Sequence, residues 1–389
     1  MLRRLLTIFA GIVAVAAGGL LVSKLLNDPT IWPPDDYVEY WAAGRLNLEG
    51  NNPYSKATLW PLQQAAGRNL DTVDDAVMMW NPPWTLCFVM PLGALPARVG
   101  QLVWLLIHLG AMAASALLLW KTYAGPKNRA MLAIGLCLVF VPTLFALNTG
   151  QISLFLLLGL AGYAWCLRHG YQYLAGLCCV LVAIKPHLLY LLWLAIAMDA
   201  LLQKRWKVIA GGLCGAAITI AIPMLFNPQV WHHYAEAYRV HPPAEHVSLT
   251  LGIPLRLLFG QEKFWLQFLP MLPVLPWFAW YRWTRRASWN TVEELPLLTV
   301  LSFLTTPYGA WHFDLVVLLL PILQVASALI NTTRAKAALL TFLVLEIAMV
   351  ALAISGWPSF VFAWVAPAIG LAWWLLPKQP AHAPVMVPA

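Results

Sequence analysis

Charged side chains are scarce in this sequence, and acids are the scarcest of all. Lys, Arg, Asp and Glu make up 10% of the 389 residues, and only 16 residues are Asp or Glu. A soluble domain of this size carries about 25% charged residues. The chain therefore lacks the polar surface of a water-soluble particle, which excludes an ordinary soluble enzyme.

Cysteine is also rare, and its spacing does not indicate a metal site. The six Cys lie within or beside apolar segments, so we interpret them as small buried apolar residues. No other cluster requires a metal or an organic cofactor, and neither is predicted. The net charge of +8 does not indicate nucleic-acid binding, because the bases form short clusters between apolar segments. That charge pattern is typical of membrane proteins.

Apolar residues dominate what is present. They make up 61% of the chain, 21 residues are Trp, and the mean hydropathy is +0.71. A spanning helix needs about 20 apolar residues. The pattern predicts an all-α polytopic membrane protein with about twelve segments: Leu5–Leu26, Arg98–Trp120, Ala130–Leu147, Ile152–Leu167, Tyr173–Ile184, His187–Leu202, Val208–Phe226, Phe264–Tyr281, Leu295–Thr306, His312–Ile330, Ala337–Ser355 and Ser359–Leu376. The short segments around Lys185–Pro186 form either a hairpin that reaches part-way or one broken helix.

The loop charges predict the orientation. With twelve crossings, the loops on the side of the termini hold most of the bases but only three acids, Asp199, Glu293 and Glu294. The positive-inside rule then places both termini in the cytoplasm, with the protein in the inner (cytoplasmic) membrane. Residues 1–376 are predicted to form one membrane domain with two large extracytoplasmic loops, 28–83 and 227–262. Residues 377–389 are predicted to be a disordered cytoplasmic tail.

Each large loop has one notable feature. In the first loop, Tyr37–Leu48 is expected to form an amphipathic helix on the membrane surface. The second loop contains four histidines, His232, His233, His241 and His246. Their spacing is not that of a metal site.

Polar residues from distant parts of the chain are predicted to meet at the extracytoplasmic ends of the helices. They are Asp35, Asp36, Asn81, Asn148, Gln151, Lys185, His187, His312 and Asp314. Ionisable groups at membrane depth are costly and are functional candidates for that reason. A carboxylate here can take a proton from an acceptor hydroxyl, and a cation such as Lys185 can hold a phosphate leaving group. Together they suggest attack of a hydroxyl on a sugar carried by a lipid phosphate.

Each of these candidates also has a structural interpretation. An acidic pair in a loop is usually only solvated, and Lys185 can extend to the interface as a long amphipathic side chain. His187 can be a hydrogen-bonded interface residue. Asp314 is harder to dismiss, because an unpaired carboxylate in an apolar run is costly. Glu346 lies within a predicted segment and needs a partner that the sequence does not identify.

Four blocks of sequence resemble glycosyltransferase family 87, in the order of that family. They are DYVEYWAAGR at residues 36–45 with Gly50 and Pro53–Tyr54; NPP at 81–83 with PLGALP at 91–96; Gly150–Gln151, Ala175–Gly176, IKPH at 184–187 and Arg205–Trp206; and TPY at 306–308 with WHFDL at 311–315. Members of the family are membrane enzymes of the C-type glycosyltransferase fold that use polyprenyl-phosphate sugars.

The resemblance implies roles for individual residues. It makes Asp36 the general base, with Asp35 as an extra neighbour, and places Lys185 at the donor phosphate. It adds further donor-site candidates: His187, His312, Asp314, Gln151, Tyr308 and Asn81. Some family members have Tyr where this chain has Asn81, and some have Trp-x-His where Trp311 directly precedes His312. The relative roles of His312 and Asp314 stay open.

The function expected is therefore a membrane hexosyltransferase of the cell envelope. It would move a hexose, with mannose as one candidate, from a polyprenyl-phosphate carrier to a hydroxyl of a glycan or glycolipid at the outer face. One alternative is a flippase or transporter of lipid-linked sugars, since those also use broken helices and membrane charges. Others are a non-catalytic partner in envelope glycan assembly and a ligase for preassembled glycans.

Overall fold

The computed structural model describes residue 24 and residues 27–241, 249–357 and 359–375, and these residues contain helices but no strands. The first predicted segment, Leu5–Leu26, apart from Lys24, the histidine His246 and the predicted tail 377–389 lie outside the described residues. The segment boundaries predicted from hydrophobicity can be compared with the helices over the rest of the chain.

The α-helices of the described residues are α1 (Tyr37–Leu48), α2 (Lys56–Ala65), α3 (Leu86–Gly93), α4 (Ala97–Thr122), α5 (Ala130–Val139), α6 (Val141–Thr149), α7 (Ser153–Arg168), α8 (Gln172–Val182), α9 (Tyr190–Gln203), α10 (Trp206–Phe226), α11 (Val230–Val240), α12 (Gly252–Phe259), α13 (Met271–Thr284), α14 (Thr291–Thr305), α15 (Leu319–Leu329), α16 (Ala335–Ile354) and α17 (Val365–Leu375). Short 3₁₀ segments include Pro186–Leu189 before α9 and His312–Leu318 before α15.

Every predicted segment from Arg98 onward coincides with a helix or a pair of helices. Five helices of the described residues are long and apolar enough to cross a membrane, with the 3₁₀ turns before α9 and α15 counted into two of them. A sixth results if α5 and α6 are one span bent by 65°. The all-helical membrane prediction is confirmed at this level, while the number of twelve crossings and the sides of the loops stay predictions.

The bend between α5 and α6 has a local cause and a distant partner. Phe140 is extended, and Pro142 occupies the first turn of α6, where its missing N–H and fixed φ favour a helix start. The amide of Val141 donates to Oε2 of Glu346, 2.8 Å away on α16. This bond identifies the partner that the sequence left open for Glu346, and it satisfies an amide at the start of α6.

The chain divides by its internal contacts into two compact units, of which the first comprises residues 1–106 and 222–237. Helices α1 and α3 form its core. A Cβ atom on Gly44 of α1 would lie 2.6 Å from the carbonyl oxygen of Val89 on α3, so the close approach of the two helices requires glycine. The indole of Trp41 donates to the Leu95 carbonyl oxygen at 2.9 Å.

Helix α1 begins and ends at the predicted residues, but the prediction of an amphipathic surface helix was wrong. Ten of its twelve residues are buried, including Glu39 and Asn47. A helix on a membrane surface keeps a polar face exposed, whereas α1 is enclosed on nearly all sides. The first loop therefore has a packed core of its own.

The second unit comprises residues 107–221 and 238–389. A buried polar network ties four of its helices at one end. Asp199 of α9 accepts hydrogen bonds from Arg282 of α13 at 2.9 Å and from Arg205, next to α10, at 3.3 Å, and also from Thr291 of α14. Because the cations compensate the buried carboxylate, α9 is fixed at its C-terminal end, and its N-terminal end carries the Lys185–Pro186–His187 turn.

Candidate active site

The acidic pair Asp35–Asp36 directly precedes α1 in the first unit. Its backbone is fixed by three side chains that donate to carbonyl oxygens: Arg98 to Trp32 at 2.7 Å, Gln101 to Pro33 at 2.9 Å and Arg68 to Asp35 at 2.6 Å. Arg98 and Gln101 are on the first turns of α4, and Arg68 follows α2, so the donors come from two separate parts of the chain. The segment is thus held in one conformation, as a catalytic carboxylate requires.

The two carboxylates have different environments, which the sequence could not show. Asp35 has a positive φ of 38°, a conformation that costs a non-glycine residue about 1–3 kcal/mol. Burial raises the pKa of Asp35, the charge of Asp36 raises it further, and Arg68 offsets part of the shift. Asp36 occupies the N-cap position of α1, and its side chain does not cap the helix amides.

Asn81, the third candidate in this unit, is buried next to the first-loop signature. The hydroxyl of Tyr54 donates to the Asn81 carbonyl oxygen at 3.2 Å. The ring of Tyr54 also contacts Tyr234 of α11 edge-on, with centroids 5.1 Å apart. The first unit consists of residues 1–106 and 222–237. The contact of Tyr54 with Tyr234 therefore links these two parts of the chain.

In the second unit, Lys185 and Asp314 form a buried ion pair. Lys185 Nζ lies 2.7 Å from Asp314 Oδ1, and the side chains are 10% and 0% exposed. Ser153 Oγ donates to the same oxygen at 2.5 Å, and the amide of Trp311 donates to Oδ2 at 3.0 Å. The carboxylate of Asp314 is therefore fully compensated, which explains how it is tolerated in an apolar run.

The ammonium of Lys185 has a fixed position. It also lies 4.9 Å from the ring centroid of Phe313, within the range of a cation–π contact. An ammonium has three donors, and Asp314 takes one of them. The arrangement can present a localised positive charge to an anionic ligand.

His187 and Tyr308 contact each other in the structure. In the sequence, His187 is close to Lys185 and Tyr308 is close to Asp314. The rings of His187 and Tyr308 stack with centroids 4.7 Å apart, and His187 Nε2 lies 3.4 Å from the carbonyl oxygen of Gly309. The hydroxyl of Thr306 donates to the His187 carbonyl at 2.9 Å. Gly309 has a φ of 67°, and a Cβ atom there would lie 2.5 Å from His187 Nε2. Glycine is therefore required for this contact.

His312 has a different set of neighbours. Its Nδ1 lies 3.0 Å from Ser359 Oγ, and its ring meets Phe145 of α6 edge-on at 4.4 Å. Gln151 is buried at the turn between α6 and α7, where Gly150 has a φ of 75°. Both residues lie in the second unit. His312 starts the predicted segment His312–Ile330, and Gln151 directly precedes the predicted segment Ile152–Leu167.

The candidates thus separate by unit. The second unit brings together Lys185 with Asp314 and His187 with Tyr308, and it also contains His312 and Gln151; the first unit contains Asp35, Asp36 and Asn81. Sequence reasoning missed Ser153, although a hydroxyl two residues after Gln151 at the start of a predicted helix was a usable signal. It also missed Gly309, whose position between Tyr308 and Trp311 was the only signal in the sequence.

Three of the four histidines of the second loop, His232, His233 and His241, belong to the described residues. His232 and His233 are neighbours on α11, with ring centroids 6.4 Å apart. Within the described parts of the chain, no group of three or more His, Cys, Asp or Glu side chains is arranged to hold a metal ion. Burial and the neighbouring His232 lower the pKa of His233.

Comparison with known proteins places the chain in a family. No curated protein and no solved structure matches it. A family model, glycosyltransferase family 87, matches residues 79–307, which is more than half of the chain. The match includes Asn81, Gln151, Lys185 and His187 and ends just before Tyr308. The chain therefore belongs to glycosyltransferase family 87.

Proposed function

We propose that this membrane glycosyltransferase is a hexosyltransferase that uses a polyprenyl-phosphate sugar. It transfers the hexose, with mannose as one candidate, to an acceptor hydroxyl at the outer face of the inner membrane. The observation that carries the proposal is the fixed, buried ammonium of Lys185 in a member of family 87. A localised cation in a low-dielectric environment is suited to a phosphate leaving group.

On the donor side, Lys185 holds the phosphate, and His187 and His312 contribute polar contacts. The bond between the anomeric carbon and the phosphate oxygen breaks, and both bonding electrons stay on that oxygen. The ammonium stabilises the charge that develops there, without being consumed. Gln151, Tyr308 and Asn81 complete the proposed set of donor contacts.

On the acceptor side, Asp36 takes the proton of the attacking hydroxyl as the new bond forms at the anomeric carbon. A single displacement with one base inverts that carbon. Asp36 is the choice implied by the family spacing. A base is most effective when its pKa lies near the working pH. The raised pKa of Asp35 therefore favours Asp35 as the alternative base.

Asp314 acts in this scheme as a positioning residue. Its two oxygens are already used by Lys185, Ser153 and the Trp311 amide. It fixes the ammonium and balances its charge before the donor binds. The net charge of the pair is zero before the donor binds.

The scheme requires membrane lipid around the helices, a lipid-linked sugar as donor and a glycan or glycolipid as acceptor. We propose twelve crossings with cytoplasmic termini, on the strength of the loop charges. No cofactor is assigned.

The test is sugar transfer by the purified protein in nanodiscs. Radiolabelled polyprenyl-phosphate hexoses are supplied with envelope glycan and lipid extracts, and wild type is compared with Asp36→Asn and Asp35→Asn. Asp74→Asn is the matched control, because Asp74 is an exposed acid of the same loop. We expect transfer by wild type and by the control, and loss of at least about 100-fold without the general base.

Each outcome has a distinct meaning. Loss in Asp36→Asn alone supports the base as proposed, and loss in Asp35→Asn alone moves the role to its neighbour. Equal activity of all four proteins overturns the assignment of the base to this pair. Movement of labelled donor across the membrane without transfer to any acceptor would favour the flippase alternative.

A further inference from the structure

The second unit contains an apolar groove whose lining includes none of the donor-site candidates. It is a cavity of about 320 Å³ between α5, α15, α16 and α17, near the lower end of the range for small-molecule sites. Leu, Ile, Val, Phe and Ala side chains form most of its wall, and its few polar residues include Arg129, Lys336 and Glu346. A sugar needs polar partners, so this wall is suited to a hydrocarbon chain instead.

The two bases lie at one end of the apolar groove and Glu346 lies at the other. Arg129 directly precedes α5, and Lys336 is in the first turn of α16. The far end of α5 meets α16 at Glu346, where the Val141 amide donates to its carboxylate. The groove is lined on α16 only from Ala335 to Glu346, and Arg129 at the start of α5 also lines it. Arg129 and Lys336 therefore share an end.

The length of the apolar groove matches one membrane leaflet. Ten residues separate Lys336 from Glu346, which is about 15 Å along an α-helix. The hydrocarbon core of a bilayer is about 30 Å thick, so the groove reaches from one surface to the middle. This depth is that of a single acyl chain whose headgroup lies at the basic end.

The basic end is complementary to an anion. Arg129 and Lys336 are exposed, and two further exposed bases, Lys127 and Arg334, lie near them in sequence. Among the described residues that line the groove, Glu346 is the one acid, and it lies at the opposite end. A phosphate at this end would meet cations and no carboxylate.

We propose that the apolar groove binds an anionic phospholipid. One acyl chain fills the groove as far as Glu346, and the phosphate contacts Arg129 and Lys336. The loop charges predict that this end faces the cytoplasm, so the lipid belongs to the inner leaflet. The site is independent of the proposed sugar transfer.

The experiment measures binding of single lipids to the purified, delipidated full-length protein by native mass spectrometry. The probes are dioleoyl phosphatidylglycerol, which is anionic, and dioleoyl phosphatidylcholine, which is zwitterionic. Ala338→Trp fills the groove, because Ala338 lines it, and Ala337→Trp is the matched control on the adjacent exposed residue. Arg129→Gln with Lys336→Gln removes the proposed phosphate contacts. Lys127→Gln with Arg334→Gln removes the same charge from residues outside the lining.

We expect wild type to prefer phosphatidylglycerol. Ala338→Trp should weaken its binding about tenfold or more, since overfilling a packed site is costly, and Ala337→Trp should not. The Arg129 and Lys336 double variant should bind phosphatidylglycerol about 30-fold more weakly, while its control binds normally.

Three results would overturn the proposal. Wild-type binding by Ala338→Trp excludes the groove as the site. Equal loss in the two double variants shows a general effect of surface charge. Equal affinity of wild type for both lipids excludes recognition of an anionic headgroup. The double variants change only exposed side chains, so they test the proposal even if Ala338→Trp does not fold.

Discussion

The buried pair of Lys185 and Asp314 gives the sharpest prediction about this protein. We consider three variants: Lys185→Met, Asp314→Leu and the double variant. Methionine keeps most of the volume of lysine without its charge. The matched control is the exposed pair of Arg45 and Glu49, 3.1 Å apart with side chains 42% and 46% exposed.

The magnitudes follow from what each change leaves unpaired. Removing one partner of a buried ion pair costs about 3–5 kcal/mol, because the other charge stays buried without compensation. Lys185→Met should be at the lower end, since Asp314 keeps its bonds from Ser153 and the Trp311 amide. Asp314→Leu should be at the upper end, because the Lys185 ammonium, the Ser153 hydroxyl and the Trp311 amide all lose their acceptor.

The double variant should recover part of the loss. Both charges are then absent, so the coupling between the two sites should be about 2–3 kcal/mol. Breaking the Arg45–Glu49 control pair should change stability by at most about 1 kcal/mol, as exposed pairs do. The assay is unfolding of the purified protein in detergent, followed by tryptophan fluorescence.

Sugar transfer separates a structural pair from a functional one. If Lys185 holds the donor phosphate, the double variant regains stability but no activity, because the ammonium is missing. Asp314→Asn should retain some transfer, since an amide oxygen can still accept from Ser153 or Trp311. Wild-type transfer by the double variant would refute the role of Lys185, and single variants as stable as the control would refute the energetics.

The pKa of Asp35 is raised in the folded protein, so ionisation of Asp35 opposes folding. The contribution of Asp35 to the free energy of unfolding is greatest below the ordinary pKa of Asp. It falls as the pH rises through the pKa of Asp35 in the folded protein. Asp35→Asn should remove that part of the pH dependence of the melting temperature. Gly44→Ala should destabilise the protein by about 1–3 kcal/mol, because its Cβ would meet a backbone carbonyl of α3. Gly110→Ala, with open space around its Cβ, should be neutral or stabilising by up to about 1 kcal/mol, and equal melting temperatures for the two alanine variants would contradict the packing argument. Gly309→Ala should raise the KM for the donor, because the new Cβ displaces the His187 ring, and an unchanged KM would argue against His187 as a donor contact.

The sequence by itself determined the class of the protein and the places of the apolar segments from Arg98 onward, but it did not predict the loop helices α2, α11 and α12. Long apolar runs can be recognised from the residues of the run itself, and the segments predicted from Arg98 onward coincide with helices. The ordered set of four short blocks was enough to indicate family 87, and the family model matches the chain over residues 79–307. The bounds of α1 were also predictable, since they depend on neighbouring residues in the chain.

Only the tertiary structure decided which side chains meet. Lys185 and Asp314 are 129 residues apart, and Val141 and Glu346 are 205 apart. Local patterns specify helices but not the partners across them. The burial of α1 and the different environments of Asp35 and Asp36 have the same origin. Burial and the electrostatic environment of a carboxyl group depend on groups from distant parts of the chain, such as Arg68 for Asp35, and these come together only when the helices pack.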